Sequence, residues 1–243
     1  MTTSKADIIA RLQKEILPLQ GYKTAPKNAA ADVGLGDINT AFPNAVFPLG
    51  AVHDFITTTP EDKAASLGFI SGILSSRLKN NGAVIWISAS GTIFPPALKS
   101  FGIAADKIIF IRLGKEKEIL WATEEALKCE GLTAVICEIK ELSFLASRRL
   151  QLAVEKSQVT GFILQCSPRV INPTACISRW KIKVLPTGLI AGMPGVGFPR
   201  WHVHLLKIRN GRPGNWQLEW VAGRFRHITS VPAIVVLPQK KTG

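Results

Sequence analysis

Between residues 45 and 166 the chain alternates continuous apolar runs with amphipathic stretches. The runs AVIWISAS (83–90), KIIFIRL (107–113), LTAVICEI (132–139) and TGFILQC (160–166) are short and mostly apolar, as strands buried on both faces must be. AVFPLGAVHDFI, from Ala45, reads as the strand that opens the series. A helix is predicted over 63–78, where Ala65, Leu67, Ile70, Ile73 and Leu74 share one side. Further helices are predicted over 95–102, over 115–131 with Gly131 as the stop, and over 141–158. This β–α–β rhythm predicts a mostly parallel sheet with helices on both faces. After Cys166 the pattern changes. CISRWKIKVLP (176–186) alternates as a half-buried strand does, and WHVHLLKIRN (201–210) and NWQLEWVAG (215–223) form an antiparallel pair joined by GRPG. Ahead of the series, Ile8, Ile9, Leu12, Ile16 and Leu17 fall at helical spacing, before a linker rich in Pro, Gly and Ala. The expected organisation is an N-terminal amphipathic helix and linker (1–36), one α/β domain (37–228) and a basic tail (229–243).

Composition agrees with that picture. At 243 residues, 47% hydrophobic and 19% charged, the chain suits one globular α/β domain with a large core. No apolar run approaches the ~18 residues of a membrane span. The N-terminus mixes charges into its apolar residues, unlike a secretory signal, so a cytoplasmic protein with no membrane partner is expected. Cys129, Cys137, Cys166 and Cys176 lie far apart, without metal-ligand spacing, and read as reduced thiols.

The charge distribution is more informative. Residues 1–150 carry 17 Lys+Arg against 15 Asp+Glu, whereas residues 151–243 carry 13 against only Glu155 and Glu219. Nearly all of the net +13 therefore lies in the last third of the chain, the footprint of a polyanion binder or of a protein that docks on an acidic partner.

Residues 47–66, FPLGAVHDFITTTPEDKAAS, run from strand through turn to helix, where a phosphate-binding loop sits in a nucleotide-binding α/β protein. Against G-x-x-x-x-G-K-[ST], the lysine is present as Lys63. Thr57 and Asp62 stand in place of the glycines, however, and Ala64 in place of the Mg²⁺-binding hydroxyl. Thr57, Thr58, Thr59 and Pro60 make a stiff approach ending in a residue without an N–H. Asp62 would set a carboxylate against phosphate oxygens. The backbone plan of a phosphate loop is kept while its chemistry is lost.

The order of elements resembles the RecA-like core of P-loop NTPases over roughly residues 40–225. Phe47-Pro48-Leu49-Gly50 leads into the first core strand, Lys63 matches the phosphate-loop lysine, and Glu138 matches the Mg²⁺-linked acid at a strand end. Ser90 stands where that family has its catalytic glutamate. Within the group, LGDINTAFPNAVFPLGAVHDF is similar to the ImuA-type proteins, through Gly36, Ala41-Phe42-Pro43, Phe47-Pro48, Gly50 and His53-Asp54. The resemblance implies a RecA-like accessory factor of damage-induced mutagenesis, without recombinase activity. Its implied partners are RecA or its filament, an ImuB-type inactive Y-family polymerase homologue and an error-prone replicative-type polymerase, with a place at the bacterial nucleoid. The expectation is a non-enzyme with no cofactor, its vestigial nucleotide site made of Thr57, Thr58, Asp62, Lys63, Ala64 and Glu138. The rival readings are a RecA-family ATPase using ATP and Mg²⁺, and a SulA-like cell-division inhibitor.

Two further groups carry weight. His53 and Asp54 are neighbours on a strand and point to opposite faces, so they read as structural. His202 and His204 share a strand face but lack a third metal ligand. Trp180, Trp201, Trp216 and Trp220 are interleaved with cations, which suits either single-stranded DNA or a sheet with tryptophan in its core and cations on its wet face. The DNA-binding candidates are Arg169, Arg179, Lys181, Lys183, Arg200, Lys207 and Arg209.

Overall fold

The structure, a computed structural model, describes residues 32–78, 82–91, 95–187 and 197–228. The expected N-terminal helix, most of the loop 187–200 and the basic tail lie outside them. Among the described residues nine strands form one sheet: β1 (Val52–Thr57), β2 (Val84–Ser88), β3 (Ile108–Arg112), β4 (Ala134–Ile139), β5 (Thr160–Cys166), β6 (Ser178–Leu185), β7 (Arg200–Ile208), β8 (Gly214–Val221) and β9 (Arg224–His227). Their order across the sheet is β3-β2-β4-β5-β1-β6-β7-β8-β9. All pairings from β3 to β6 are parallel and those from β6 to β9 antiparallel. The fold is thus α/β, a RecA-like core with a parallel sheet and C-terminal antiparallel strands.

The apolar runs became central strands for the expected reason. β1, β4 and β5 are buried along almost their whole length, between α1 (Pro60–Arg77) on one face and α2 (Glu116–Leu127) and α3 (Phe144–Ser157) on the other. The α1 side holds Phe55, Phe69, Trp180, Trp201, Val203, Leu218 and Phe225, and the α2–α3 side holds Val52, Ile119, Leu127, Val135, Leu150 and Ile163. At the start of α3, the Ser143 hydroxyl accepts from the Ala146 N–H. α3 ends on Gln158 in the left-handed region, where φ is 62°.

Several elements depart from expectation. The strand expected from Ala45 starts only at Val52, and two short 3₁₀ segments, Gly36–Ala41 and Pro43–Ala45, precede it. Val33 and Leu35 are already buried, so the core reaches back beyond the boundary expected at 36/37. Residues 95–101 form a 3₁₀ helix. α2 stops at Leu127, a turn before Gly131. β3 is an edge strand with Ile109 and Phe110 exposed, not the buried strand its apolar run predicts. β9, with Phe225 as its one buried side chain, is too short to leave a pattern.

Candidate functional site at the β1–α1 junction

β1 ends at Thr57 and α1 begins at Pro60, so only Thr58 and Thr59 connect them. Five of the eight residues aligned with a phosphate loop, Pro60 to Ala64, are already helical. The connection is closed by its own side chains. Thr59 is the helix N-cap, its hydroxyl oxygen accepting from the Asp62 N–H at 3.2 Å. The Thr58 hydroxyl donates to the buried Asp62 carboxylate at 2.6 Å, and the Thr57 hydroxyl donates to the Gln165 carbonyl at 3.1 Å. Glu61, also in the first helical turn, has its carboxyl held below the usual range by its own backbone N–H and then by the Thr59 hydroxyl. Two carboxylates therefore occupy the positive end of α1, where a phosphate would otherwise be favoured. From the other side Ser167, at φ 52°, donates its N–H to the Thr57 carbonyl and its hydroxyl to the Thr58 carbonyl.

Lys63 and Glu138, far apart in sequence, meet here. The Lys63 ammonium lies 2.6 Å from one Glu138 carboxylate oxygen, and the indole N–H of Trp86 donates to the other at 3.0 Å. Glu138 is buried and Lys63 is one-fifth exposed. The strand order requires this meeting: β4 lies one strand from β1 across β5, so the ends of β1 and β4 open on the same edge of the sheet. Both carboxylate oxygens have protein partners. Ala64, the next residue, is exposed and brings no oxygen. Beside the pair, burial pushes the Cys166 thiol up while Lys63 pulls it down.

Comparison with known proteins adds two findings. A KaiC-like protein from the archaeon Pyrococcus horikoshii OT3 shares the fold, with a TM-score of 0.55 over 82% of this chain and 98% of that one, at 11% identity. Protein ImuA of Caulobacter vibrioides, found in two strains, is 34% identical over 198 residues, which is 76% of this chain and 81% of the relative. The chain belongs to the ImuA family. No family model matches.

In this ImuA-family chain, a Mg²⁺–triphosphate does not fit the junction. The backbone that would cradle it is helical from Pro60, Asp62 and Glu61 present negative charge, and Lys63 is held by Glu138.

The other polar residues singled out in the sequence divide into framework and surface. His53 and Asp54 do point to opposite faces. Burial lowers the His53 pKa to about 4 despite the hydrogen bond to Pro48, so the ring is neutral. It donates from Nε2 to the Pro48 carbonyl at 2.9 Å and accepts at Nδ1 from the Ser178 hydroxyl at 2.6 Å, while that oxygen accepts from Trp180 Nε1 at 2.7 Å. This chain of donors sets the tautomer. Asp54 is fully buried, accepting from Gln165 Nε2 and from Arg179 Nε, both at 2.7 Å.

Of the DNA-binding candidates, Arg179 is thus committed to Asp54 and also donates to the Asn172 carbonyl. Arg200 pairs with buried Glu219 at 2.7 Å, and Arg226 holds the other Glu219 oxygen. Burial pulls the Glu219 pKa upward, but the two arginines outweigh it and hold the group below its ordinary value. Arg209 donates to the Ala175 carbonyl and Lys207 to the Thr174 carbonyl, both tying down the loop after β5. The Arg169 backbone N–H donates to Glu141. Trp180, Trp201 and Trp220 are core residues, and Trp216 packs against the same core. Of the two readings left open for these aromatics, the sheet core is the one found for Trp180, Trp201 and Trp220, whose burial leaves no ring face for a base, while Trp216 is only half-buried. Lys181 and Lys183 remain on the outward side of β6.

Proposed function

We propose that this ImuA-family protein is a non-catalytic RecA-like accessory factor in damage-induced, error-prone DNA repair. It works by assembly rather than by turnover of ATP. The observation that carries this reading is the Lys63–Glu138 pair: the two groups best placed to hold phosphate and metal hold each other, against a helix start already supplied with carboxylates. A protein relieved of nucleotide chemistry keeps the RecA-like shape as its working part. That shape suits contacts with RecA or its filament, with an ImuB-type polymerase homologue and with an error-prone replicative-type polymerase, in the bacterial cytoplasm at the nucleoid. The test pairs calorimetric titration of the full chain with ATP and Mg²⁺ and a mutagenesis assay of Lys63→Met/Glu138→Gln, which removes both charges but leaves an acceptor for Trp86. The expected outcome is no ATP binding and retained mutagenesis. Saturable ATP binding that the double variant abolishes, together with loss of mutagenesis, would refute the proposal in favour of a RecA-family ATPase.

A further inference from the structure

β6, β7 and β8 bury one face against α1 and leave the other in solvent. On the outward face the register aligns two rows, Lys181–His204–Asn215 and Lys183–His202–Gln217. Each of the six is half-buried or exposed. Neither row contains a carboxylate. The acids next along the sheet on that side are already held, Glu219 between Arg200 and Arg226 and Asp54 by Arg179. The two imidazoles lie side by side, ring centroids 3.9 Å apart at 45°. Partial burial is the main cause that lowers the His204 pKa, and His202 and the ammonium groups of Lys183 and Lys181 add to it.

We infer that the outward face of β6–β8 binds single-stranded nucleic acid, with Lys181 and Lys183 on successive phosphates and the His202–His204 pair beneath a base. The two lysines are two residues apart on one strand, about 6.8 Å, a step that neighbouring phosphates of an extended strand can match. Asn215 and Gln217 add neutral donors along the next strand. A protein partner is the poorer fit, because protein interfaces centre on buried apolar anchors and these six residues include none. The site differs from the one sequence spacing suggested, since Arg179 and Arg200 are spent on Asp54 and Glu219, and His202 and His204 enter in their place. The inference rests on the repair role proposed above but needs no nucleotide. ATP is absent from its test, so either reading can fail alone.

The groups facing the histidines are Lys181 and Lys183 from β6 and the uncharged Asn215 and Gln217 from β8. A phosphate arriving between them favours the protonated rings, so binding tightens as pH falls. The experiment is fluorescence anisotropy of the full chain with labelled oligo(dT), across salt and from about pH 7.5 to about pH 6. Lys181→Ala/Lys183→Ala is expected to weaken binding on the order of twentyfold near 0.1 M salt and to lower the salt slope by about 1.4, roughly 0.7 for each phosphate no longer neutralised. His202→Gln/His204→Gln is expected to abolish the pH dependence and the preference for single strand over duplex. Circular dichroism and urea unfolding check that both variants fold. The inference is overturned if the lysine variant binds oligo(dT) with unchanged affinity and slope, if duplex binds as tightly as single strand, or if the wild-type chain binds no oligo(dT). It is equally overturned if this face is needed only to retain an ImuB-type protein partner.

Discussion

Removing Lys63 alone should destabilise the fold, although the residue sits where a phosphate-binding lysine would be dispensable for stability. In Lys63→Met, the buried Glu138 carboxylate keeps only the Trp86 N–H. At 2.6 Å the forfeited attraction is roughly 6 kcal/mol at an effective dielectric of about 20, before the desolvation that offsets much of it. Breaking one side of a fully buried pair typically costs about 3–5 kcal/mol, and the partial exposure of Lys63 lets water screen the orphan, so about 2–3 kcal/mol is expected here. For a chain of this size that is a drop in Tm of roughly 5–10 °C. Glu138→Gln keeps an acceptor for Trp86, and the double variant Lys63→Met/Glu138→Gln restores most of the stability. A double-mutant cycle by urea unfolding should therefore show a coupling of about 2 kcal/mol. Near-zero coupling, with Lys63→Met as stable as wild type, would refute the claim that the two side chains satisfy each other.

Two buried groups make further differences measurable. The folded-state pKa of His53 is depressed to about 4, so the unfolded chain binds the extra proton first. Its stabilising contribution is complete above about pH 6.5 and is lost as pH falls towards about pH 4, with roughly 2 kcal/mol gone by about pH 5. Urea unfolding at about pH 7 and about pH 5 measures this, and His53→Gln should remove that part of the slope. Arg179→Ala, which strands the fully buried Asp54 carboxylate, should cost about 3 kcal/mol or more, read by urea unfolding, whereas an arginine serving only DNA would cost almost nothing.

Much of this protein is legible in its residues taken one stretch at a time. The central strands announce themselves because burial on both faces demands unbroken apolar runs, as in AVICEI and TGFILQC. β6 and β7 announce themselves by alternation, since one face is wet. The missing glycines and hydroxyl at 57–64 are visible without coordinates, and so is the basic last third. The edge position of β3 is not visible: an apolar run reads alike at the centre and at the rim, and only the strand order leaves Phe110 exposed.

What a side chain is committed to depends on partners brought in from elsewhere in the chain, and spacing carries no record of them. Cations at 179, 200 and 207 look equivalent in sequence. Folding gives the first a buried carboxylate from β1, the second one from β8, and the third a loop carbonyl. Lys63 and Glu138 likewise become a pair only because the parallel crossover sets β4 one strand away from β1. Local pattern thus determines which elements form and which face is wet, because those depend on periodicity. Tertiary structure alone decides which charges are neutralised and which are left to meet a ligand, because that depends on distance through space.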